Sequence, residues 1–219
     1  MLLQSNFLTL CLILCFAMIV PAVSAAEIAL PADTIIIEAE SGEMEGGVNI
    51  IDDDEASEGQ ALDHPVGAKT SYEVDIPKKG DWFVWIRMNC PNGSQDSYWI
   101  GMDDVDPSPP DDAQGEPAIK IYSDAGDSVN TDAQPFNLWF WDSNASNPDP
   151  HGFLKVKDVG KHTLWAKGRE QGTLIDQLLL TLDSGFSPEE AAQGGAIPVY
   201  QAVSSRDKLA VTWGNIKTP

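Results

Sequence analysis

Apolar and polar residues alternate over most of the chain between residues 33 and 182, as they do in strands with one buried and one exposed face. Apolar residues seldom recur at the three- and four-residue spacing of a helix. About nine such runs are separated by turns rich in Gly, Pro, Asn and Asp. The runs cover residues 33–40, 71–77, 81–88, 96–103, 118–122, 136–142, 152–157, 162–168 and 173–182. Their spacing predicts an all-β protein, a sandwich of two antiparallel sheets.

The two ends of the chain differ in composition from this strand region. Residues 1–25 are mostly apolar, contain no charged residue and end in Val-Ser-Ala, which predicts a secretory signal peptide. The alternative is an uncleaved N-terminal anchor. Residues 189–219 carry few strand signals. The predicted organisation is a signal peptide (1–25), a β-sandwich (26–188) and a C-terminal tail (189–219), in a protein that is secreted or held at the cell surface.

The net negative charge of the chain indicates which classes of ligand it can bind. The 219 residues have a formal net charge of −21, and all of it lies after residue 25. An acidic protein of this kind repels phosphate backbones, so nucleic-acid binding is not expected, whereas divalent cations suit it. Of the three cysteines only Cys90 lies outside residues 1–25. Without an intrachain disulfide, the exported protein must be held by its core, by a metal or by both.

One acidic residue stands out in the last strand, residues 173–182. Strict alternation places Asp176 on the same face as Leu174, Leu178, Leu180 and Leu182, which is the natural core face. Burying a carboxylate without a partner is costly, on the order of 2–7 kcal/mol or more. Asp176 therefore requires a partner inside the fold.

The first strand offers carboxylates that bear on this problem. Glu38 and Glu40 lie two residues apart and share one strand face. Together with Asp176 they provide three hard oxygen donors of the kind that Ca²⁺ prefers, and carbonyls of residues 57–59 can add more. The pattern favours a structural calcium ion. The alternative is that Asp176 forms an ion pair with Arg87 or Arg169.

Several motifs occur in a set order along residues 33–188: "IIIEAES", "GDWFVWIRM", "DSYWIGMD", "LWFW", "GKHTLWAKGREQGTLIDQLLLTLD" and "GFSP". Together they resemble carbohydrate-binding modules of families six and thirty-five, which have a galactose-binding-like fold. The resemblance implies a β-jelly-roll of two antiparallel sheets. It also implies that Glu38, Glu40 and Asp176 hold a structural calcium ion.

Aromatic residues are the candidates for a sugar site, because flat rings pack against the apolar faces of sugars. In residues 136–142, Trp139 and Trp141 share one face. If the opposite face is core, both rings point outward or into a cleft; the alternative is that Trp139 packs under a loop. The resemblance implies that Trp141 lines a cleft at the loop end of the sandwich. Asp142 and Asn144 beside it can bind hydroxyls, and Trp99 is a further candidate.

Catalytic motifs are absent from the sequence. The three histidines lie far apart, and no GxSxG, P-loop or HExxH pattern occurs. We therefore predict an exported, non-catalytic module that binds a poly- or oligosaccharide and carries a structural calcium ion. The alternative is a structural or adhesion domain of the same fold that has lost sugar binding.

The tail ends in "RDKLAVTWGNIKTP", which combines basic residues, alternating apolar residues and one Trp in an otherwise acidic chain. Its simplest interpretation is a disordered end or an additional edge strand. The sharper hypothesis is a sorting signal or a segment that docks to a cell-surface or enzyme partner.

Overall fold

The fold is a sandwich of two antiparallel sheets, so the predicted all-β class is confirmed. The computed structural model describes residues 28–103, 118–123, 136–143, 151–192 and 194–198. The predicted signal peptide, Asn144 and residues 199–219 lie outside the described residues. No helix in the described part is long and apolar enough to cross a membrane.

The described residues form twelve strands and one short helix. The strands are β1 (Ile35–Glu38), β2 (Glu43–Glu45), β3 (Asn49–Asp52), β4 (Gln60–Asp63), β5 (Lys69–Ile76), β6 (Gly80–Asn89), β7 (Ser97–Met102), β8 (Ala118–Tyr122), β9 (Trp139–Asp142), β10 (Phe153–Val156), β11 (Gly160–Gly168) and β12 (Leu174–Thr181), and the helix is α1 (Pro188–Ala192). Two single turns of 3₁₀ helix, Ala39–Ser41 and Ser57–Gly59, follow β1 and precede β4.

Each predicted run contains a strand, and the structure adds β2, β3 and β4, which sequence analysis missed. These three strands have three or four residues each. Their length is too short for alternation to be visible, and β3 is mostly exposed, so burial leaves little pattern in its sequence.

One sheet has seven strands and the other has five. In the seven-stranded sheet the order is β10-β6-β12-β4-β3, with β1 also paired to β12 and β9 also paired to β6. In the five-stranded sheet the order is β2-β5-β11-β7-β8. The main core fills the space between the two sheets. Its largest fully buried side chains include Trp82, Tyr98, Phe140, Leu62, Ile76 and Ile86.

A second hydrophobic cluster lies on the outer face of the seven-stranded sheet. It contains Ile36, Trp85, Trp141, Leu179 and Ile197. Parts of the chain that flank the strands pack on this face: residues 28 and 30 precede β1, and residues 186, 192 and 197 follow β12. The middle of this sheet, around β12, is therefore buried on both sides, which explains why β12 is apolar on both faces.

Candidate functional site

Asp176 does not lie on the core face, because β12 contains a β-bulge. The pairing of β12 with β6 shifts register between Ile175 and Gln177, with Asp176 as the extra residue. Ile175, Leu178 and Leu180 face the main core, and Asp176 is released from it. The prediction that Asp176 shares a face with the core leucines is wrong, because strict alternation does not hold across a bulge.

Asp176 is nevertheless fully buried, and Arg87 is its main partner. Arg87 Nη1 donates to Asp176 Oδ2 in an ion pair between two buried side chains. The Arg87 guanidinium also donates from Nε to the Gly194 carbonyl (3.0 Å) and from Nη2 to the Glu55 carbonyl (3.2 Å), and it lies 5.0 Å from the centre of the Trp139 ring. These contacts correspond to the ion-pair alternative that the sequence left open.

The turn of residues 53–59 closes over the acidic residues, as its sequence position suggested. To the carboxylates it contributes hydrogen-bond donors, and its Glu55 carbonyl accepts from Arg87. The Ser57 amide donates to Asp176 Oδ1 (2.8 Å), and the Ser57 hydroxyl donates to Glu38 Oε1 (3.1 Å). Gln177 Nε2 also donates to Glu38 Oε1 (2.7 Å). One oxygen of Glu38 and both oxygens of Asp176 thus have partners within the protein.

The remaining oxygens of the two glutamates have none. Glu38 Oε2 and Glu40 Oε2 are buried side-chain atoms without a hydrogen-bond partner. Burial, together with the charges of Asp176 and Glu40, raises the pKa of Glu38 to about 7, although hydrogen bonds from Gln177 and Ser57 lower it. Burial also raises the pKa of Glu40, with Asp176 and Glu58 adding to the rise. The predicted acidic residues therefore lie close enough to repel one another.

These residues fit a cation in part. Two inward carboxylate oxygens lack partners, and a divalent ion would satisfy both. Asp176, however, is already neutralised by Arg87. Among the described residues no group of three His, Cys, Asp or Glu side chains has the arrangement of a metal site. The assignment of Glu38, Glu40 and Asp176 as calcium ligands remains a prediction, and the ion pair with Arg87 is the feature that competes with it.

Trp139 and Trp141 point away from the main core, as the alternation predicted, but segments of the same chain cover both. Trp141 is 3% exposed, and its indole nitrogen donates to the Gly195 carbonyl (2.9 Å). Trp139 is 8% exposed, and its indole nitrogen donates to Asp53 Oδ2 (3.2 Å). The alternative in which Trp139 packs under a loop therefore describes its surroundings, and neither ring offers an open face.

The polar residues next to Trp141 are described only in part. Asp142 is partly exposed at the end of β9, where its Oδ1 accepts a hydrogen bond from the Ser143 amide (2.7 Å). Asn144 lies outside the described residues. Their assignment to a sugar site remains a prediction.

Trp99 has different surroundings, because it lies on the outer face of the five-stranded sheet. Of the six tryptophans that the structure describes, it is the one that is not buried. Lys120 of β8 and Lys167 of β11 are its direct cross-strand neighbours. The guanidinium of Arg169 lies 5.9 Å from the centre of the Trp99 ring. A partly exposed aromatic ring is thus bordered by three long cationic side chains.

A group of polar residues continues this surface at one end of β7. Arg169 donates to the Ser97 hydroxyl (2.8 Å) and forms an ion pair with Glu170. Glu170 Oε2 accepts from the Ser97 hydroxyl (2.7 Å) and from the Asp96 amide (3.0 Å). Burial and the neighbouring Glu170 raise the pKa of Asp96 to about 6. These contacts hold planar guanidinium and carboxylate groups in place beside the Trp99 ring.

Sequence analysis found Trp99 but missed the cations around it. Lys120, Lys167 and Arg169 lie on three different stretches of sequence, and only the pairing of β8, β7 and β11 brings them together. A signal was present, since Lys120 and Lys167 both occupy outward positions of alternating strands. Gln177 was also missed, because a single polar residue in a leucine-rich strand does not reveal its partners.

The three histidines lie in unrelated surroundings, as their separation in the sequence suggested. His64 is buried and shares a hydrogen bond of 2.8 Å with Thr70; burial lowers its pKa to about 4. The His151 ring lies 4.6 Å from the Trp85 ring. His162, at the start of β11, shares a hydrogen bond of 2.8 Å between its Nδ1 and Asp103 Oδ2.

Comparisons with known proteins gave structural matches alone. No protein-family model matches the chain, and no curated protein matches it. Among solved structures, the chain is similar to a family 35 carbohydrate-binding module from Clostridium thermocellum, with 13% identity, a TM-score of 0.46 and coverage of 68% of this chain and 98% of the module. It is also similar to the C-terminal family 6 module of the laminarinase LamC from Zobellia galactanivorans, with 15% identity, a TM-score of 0.40 and coverage of 68% and 98%.

A larger protein is also similar. The exo-β-1,3-galactanase of Phanerochaete chrysosporium matches with 12% identity and a TM-score of 0.47, over 68% of this chain and 29% of the galactanase. The chain thus spans less than a third of the length of that enzyme. Families 35 and 6 are the two families that the sequence motifs resemble. These values describe a likeness in strand arrangement, and the activities in the names belong to those proteins.

Proposed function

We propose that the protein is a non-catalytic carbohydrate-binding module and that its sugar site is the outer face of the five-stranded sheet around Trp99. The observation that carries this proposal is the exposure of Trp99, since every other described tryptophan is buried. A sugar ring packs its C–H face on an indole, and its hydroxyls bind planar charged groups. Arg169 supplies a planar guanidinium beside the ring, and Lys120 and Lys167 supply two ammonium groups on the neighbouring strands.

Affinity electrophoresis of residues 26–219 against a panel of neutral and acidic polysaccharides tests this proposal. We expect one class of glycan to retard the protein and Trp99→Ala to abolish the retardation. Ile50→Ala is the matched control, because Ile50 is an exposed apolar residue on the other sheet (50% exposed) and its loss should leave retardation unchanged.

A second variant separates the two candidate positions for the sugar site. Trp141→Phe keeps a ring under the covering segment and should leave sugar binding intact. If a folded Trp141→Phe protein loses retardation while Trp99→Ala retains it, the site lies at the cleft that the sequence predicted. If Trp99→Ala leaves retardation intact, the Trp99 proposal is wrong.

The covering of Trp139 and Trp141 favours a second candidate function. A module whose cleft aromatics are buried by its own chain suits a structural or adhesion domain that has lost sugar binding. A folded protein that no glycan on the panel retards would support this function over the first one.

We further propose that Glu38 and Glu40 bind a structural calcium ion. The support is the pair of buried, unpartnered oxygens Glu38 Oε2 and Glu40 Oε2. An ion that binds only the folded state raises the melting temperature. We expect Ca²⁺ to raise it relative to chelator, and Glu40→Gln to remove most of the difference. Equal melting temperatures in calcium and in chelator would contradict the proposal.

Export and attachment at the cell surface are part of this proposed function; the predicted signal peptide and residues 199–219 of the predicted tail lie outside the described residues. Mass spectrometry of the exported protein tests cleavage near Ala25. For the tail, a truncation must begin after Pro198, because Gly195 and Ile197 support Trp141 and Gln177 in the fold. A chain shortened in this way that keeps its export and cell association would argue against a sorting role.

A further inference from the structure

A groove of about 720 Å³ runs along one side of the sandwich, between an edge of each sheet. Its walls are β1 on one side and residues 71–75 of β5 on the other, and the crossover at residues 41–43 closes one end. Within the described residues, β1 pairs with β12 alone. β2 pairs with β5 only at Lys69–Ser71, so the rest of that β5 edge carries no partner strand. Two unpaired strand edges therefore line the same groove.

The walls of the groove are acidic. Glu38, Glu43, Glu73 and Asp75 line it, and no Lys or Arg occurs among the described residues of its lining. Lys161, from outside this lining, donates to Glu73 Oε1 (2.6 Å). The apolar part of the lining comes from the isoleucines of β1 and from Tyr72 and Val74 of β5. The shape and charge of the groove suit an extended peptide with basic and apolar residues.

The end of the described chain lies close to this groove. Ile197 exchanges two hydrogen bonds with the side chain of Gln177, both 2.9 Å long. The same Gln177 side chain donates to Glu38 Oε1, and Glu38 lines the groove. The chain thus passes within one side chain of the groove wall, and 21 residues follow Pro198.

The residues that follow have the composition that the groove requires. Between Pro198 and Arg206 there are eight residue steps, which span up to roughly 26 Å when extended. Residues 206–219 contain Arg206, Lys208 and Lys217 against a single acidic residue, Asp207. Leu209, Val211 and Trp213 alternate with smaller or polar residues, which is a strand pattern.

We propose that residues 206–217 bind in this groove as an added strand and pair with the open edge of β1 or β5. Main-chain hydrogen bonds to the edge supply affinity in this mode of binding, and alternate side chains supply specificity. The basic residues offset the acidic walls, and the apolar residues cover the isoleucines of β1. The added strand also protects an apolar strand edge that would otherwise be open to pairing with another chain.

Hydrogen–deuterium exchange measured by mass spectrometry tests this proposal on residues 26–219 and on the same protein ended after Ser205. We expect the outward-facing amides of one edge, either in residues 35–38 or in residues 72–76, to exchange at least about tenfold faster in the shortened protein, since their strand hydrogen bonds are lost. A synthetic peptide of residues 206–219, added in excess, should restore the protection. Equal exchange in the two proteins would overturn the proposal.

Two substitutions in the full chain, each with a control, test whether faster exchange could come from a general loss of folding in the shortened protein. Thr212→Pro removes a backbone donor within the proposed strand and should speed exchange at the groove, whereas Ser204→Pro lies outside the segment and should not. Asp75→Lys should weaken the protection, whereas Asp54→Lys, on an exposed turn, should not. Unchanged protection in Thr212→Pro would contradict the proposal.

The occupant of the groove must also be identified. Sedimentation across a range of protein concentrations should show a monomer with full protection of the groove. If protection appears only in a dimer, a second copy of the chain supplies the strand and the intramolecular proposal is wrong.

Discussion

The two outer faces of the sandwich carry similar residues and use them differently. On the seven-stranded sheet, Trp139, Trp141 and Arg87 are buried under segments of the same chain. Trp141 belongs to the second hydrophobic cluster and Trp139 to a smaller one, and the two clusters with Arg87 are here called the second core. On the five-stranded sheet, Trp99 remains partly exposed among charged side chains. Outward-pointing aromatic residues therefore indicate a binding surface only where no other segment packs on them. Here the flanking segments cover the tryptophans of one face and leave Trp99 of the other face partly exposed.

The largest predicted effect concerns the ion pair under the covered face. Arg87→Met should lower the free energy of unfolding by about 3–5 kcal/mol in calcium-free buffer, because Asp176 is then buried without its counter-ion. The repulsion from Glu38 and Glu40 adds to the loss. Urea unfolding at neutral pH measures it, and added Ca²⁺ should reduce the loss if the proposed cation site exists.

Lys78→Met is the control for this prediction. It removes an ion pair with Asp33 in which the Lys78 side chain is 61% exposed. Pairs of this kind contribute about 0–1 kcal/mol. If both variants lost equally little stability, the covered face would not be a second core.

A pair of tryptophan variants sharpens the comparison with an effect of similar size. Trp141→Ala should cost about 3–5 kcal/mol, because a buried ring and its bond to Gly195 are lost. Trp99→Ala should cost less than about 1 kcal/mol, because the ring is partly exposed. Urea unfolding measures the loss of stability in each variant, and the glycan assay measures its sugar binding. A large loss of stability in Trp99→Ala would assign this residue to packing.

The sequence allowed most of the fold to be predicted, because two-residue alternation persists in the long strands. It misplaced Asp176, because one bulge residue inverts the alternation and leaves no sign in the sequence. It directed Trp139 and Trp141 to the correct face. It did not reveal that residues 186–198 return over that face, because this segment carries only weak structural signals.

The candidate site was less predictable than the fold. Glu38, Glu40 and Asp176 do come together, as the strand pattern and the family resemblance implied. Whether Arg87 or a calcium ion neutralises Asp176 depends on which residues face each other across β6 and β12. From the sequence alone, Arg87 and Arg169 were both possible partners of Asp176. The cations around Trp99 depend on strand order, which a single sequence does not reveal.

A glycine on the open face gives a smaller effect. A Cβ at Gly101 would lie 2.0 Å from Cζ2 of the Trp165 ring on the paired strand β11. Gly101→Ala must displace that ring and should cost about 1–3 kcal/mol. Gly93→Ala is the control, because its nearest neighbour would be 3.7 Å away. Thermal unfolding compares the two, and equal melting temperatures would show that the Trp165 ring moves freely.

The smallest expected effect is the pH dependence that Glu38 gives to the covered face. The pKa of Glu38 rises from 4.5 to about 7 on folding, so the native state holds more protons than the unfolded state between these values. Stability from this group is therefore complete below the lower value and is lost as pH rises through about 7. Without calcium, the melting temperature should fall by a few degrees between about pH 5 and about pH 8.

Glu38→Gln should flatten this dependence of the melting temperature on pH, and the exposed Glu55→Gln should leave it unchanged. Calcium should remove the slope as well, because the ion binds the ionised carboxylates and favours the charged form at higher pH. A slope that survives both Glu38→Gln and calcium would assign the pH dependence to groups elsewhere in the fold.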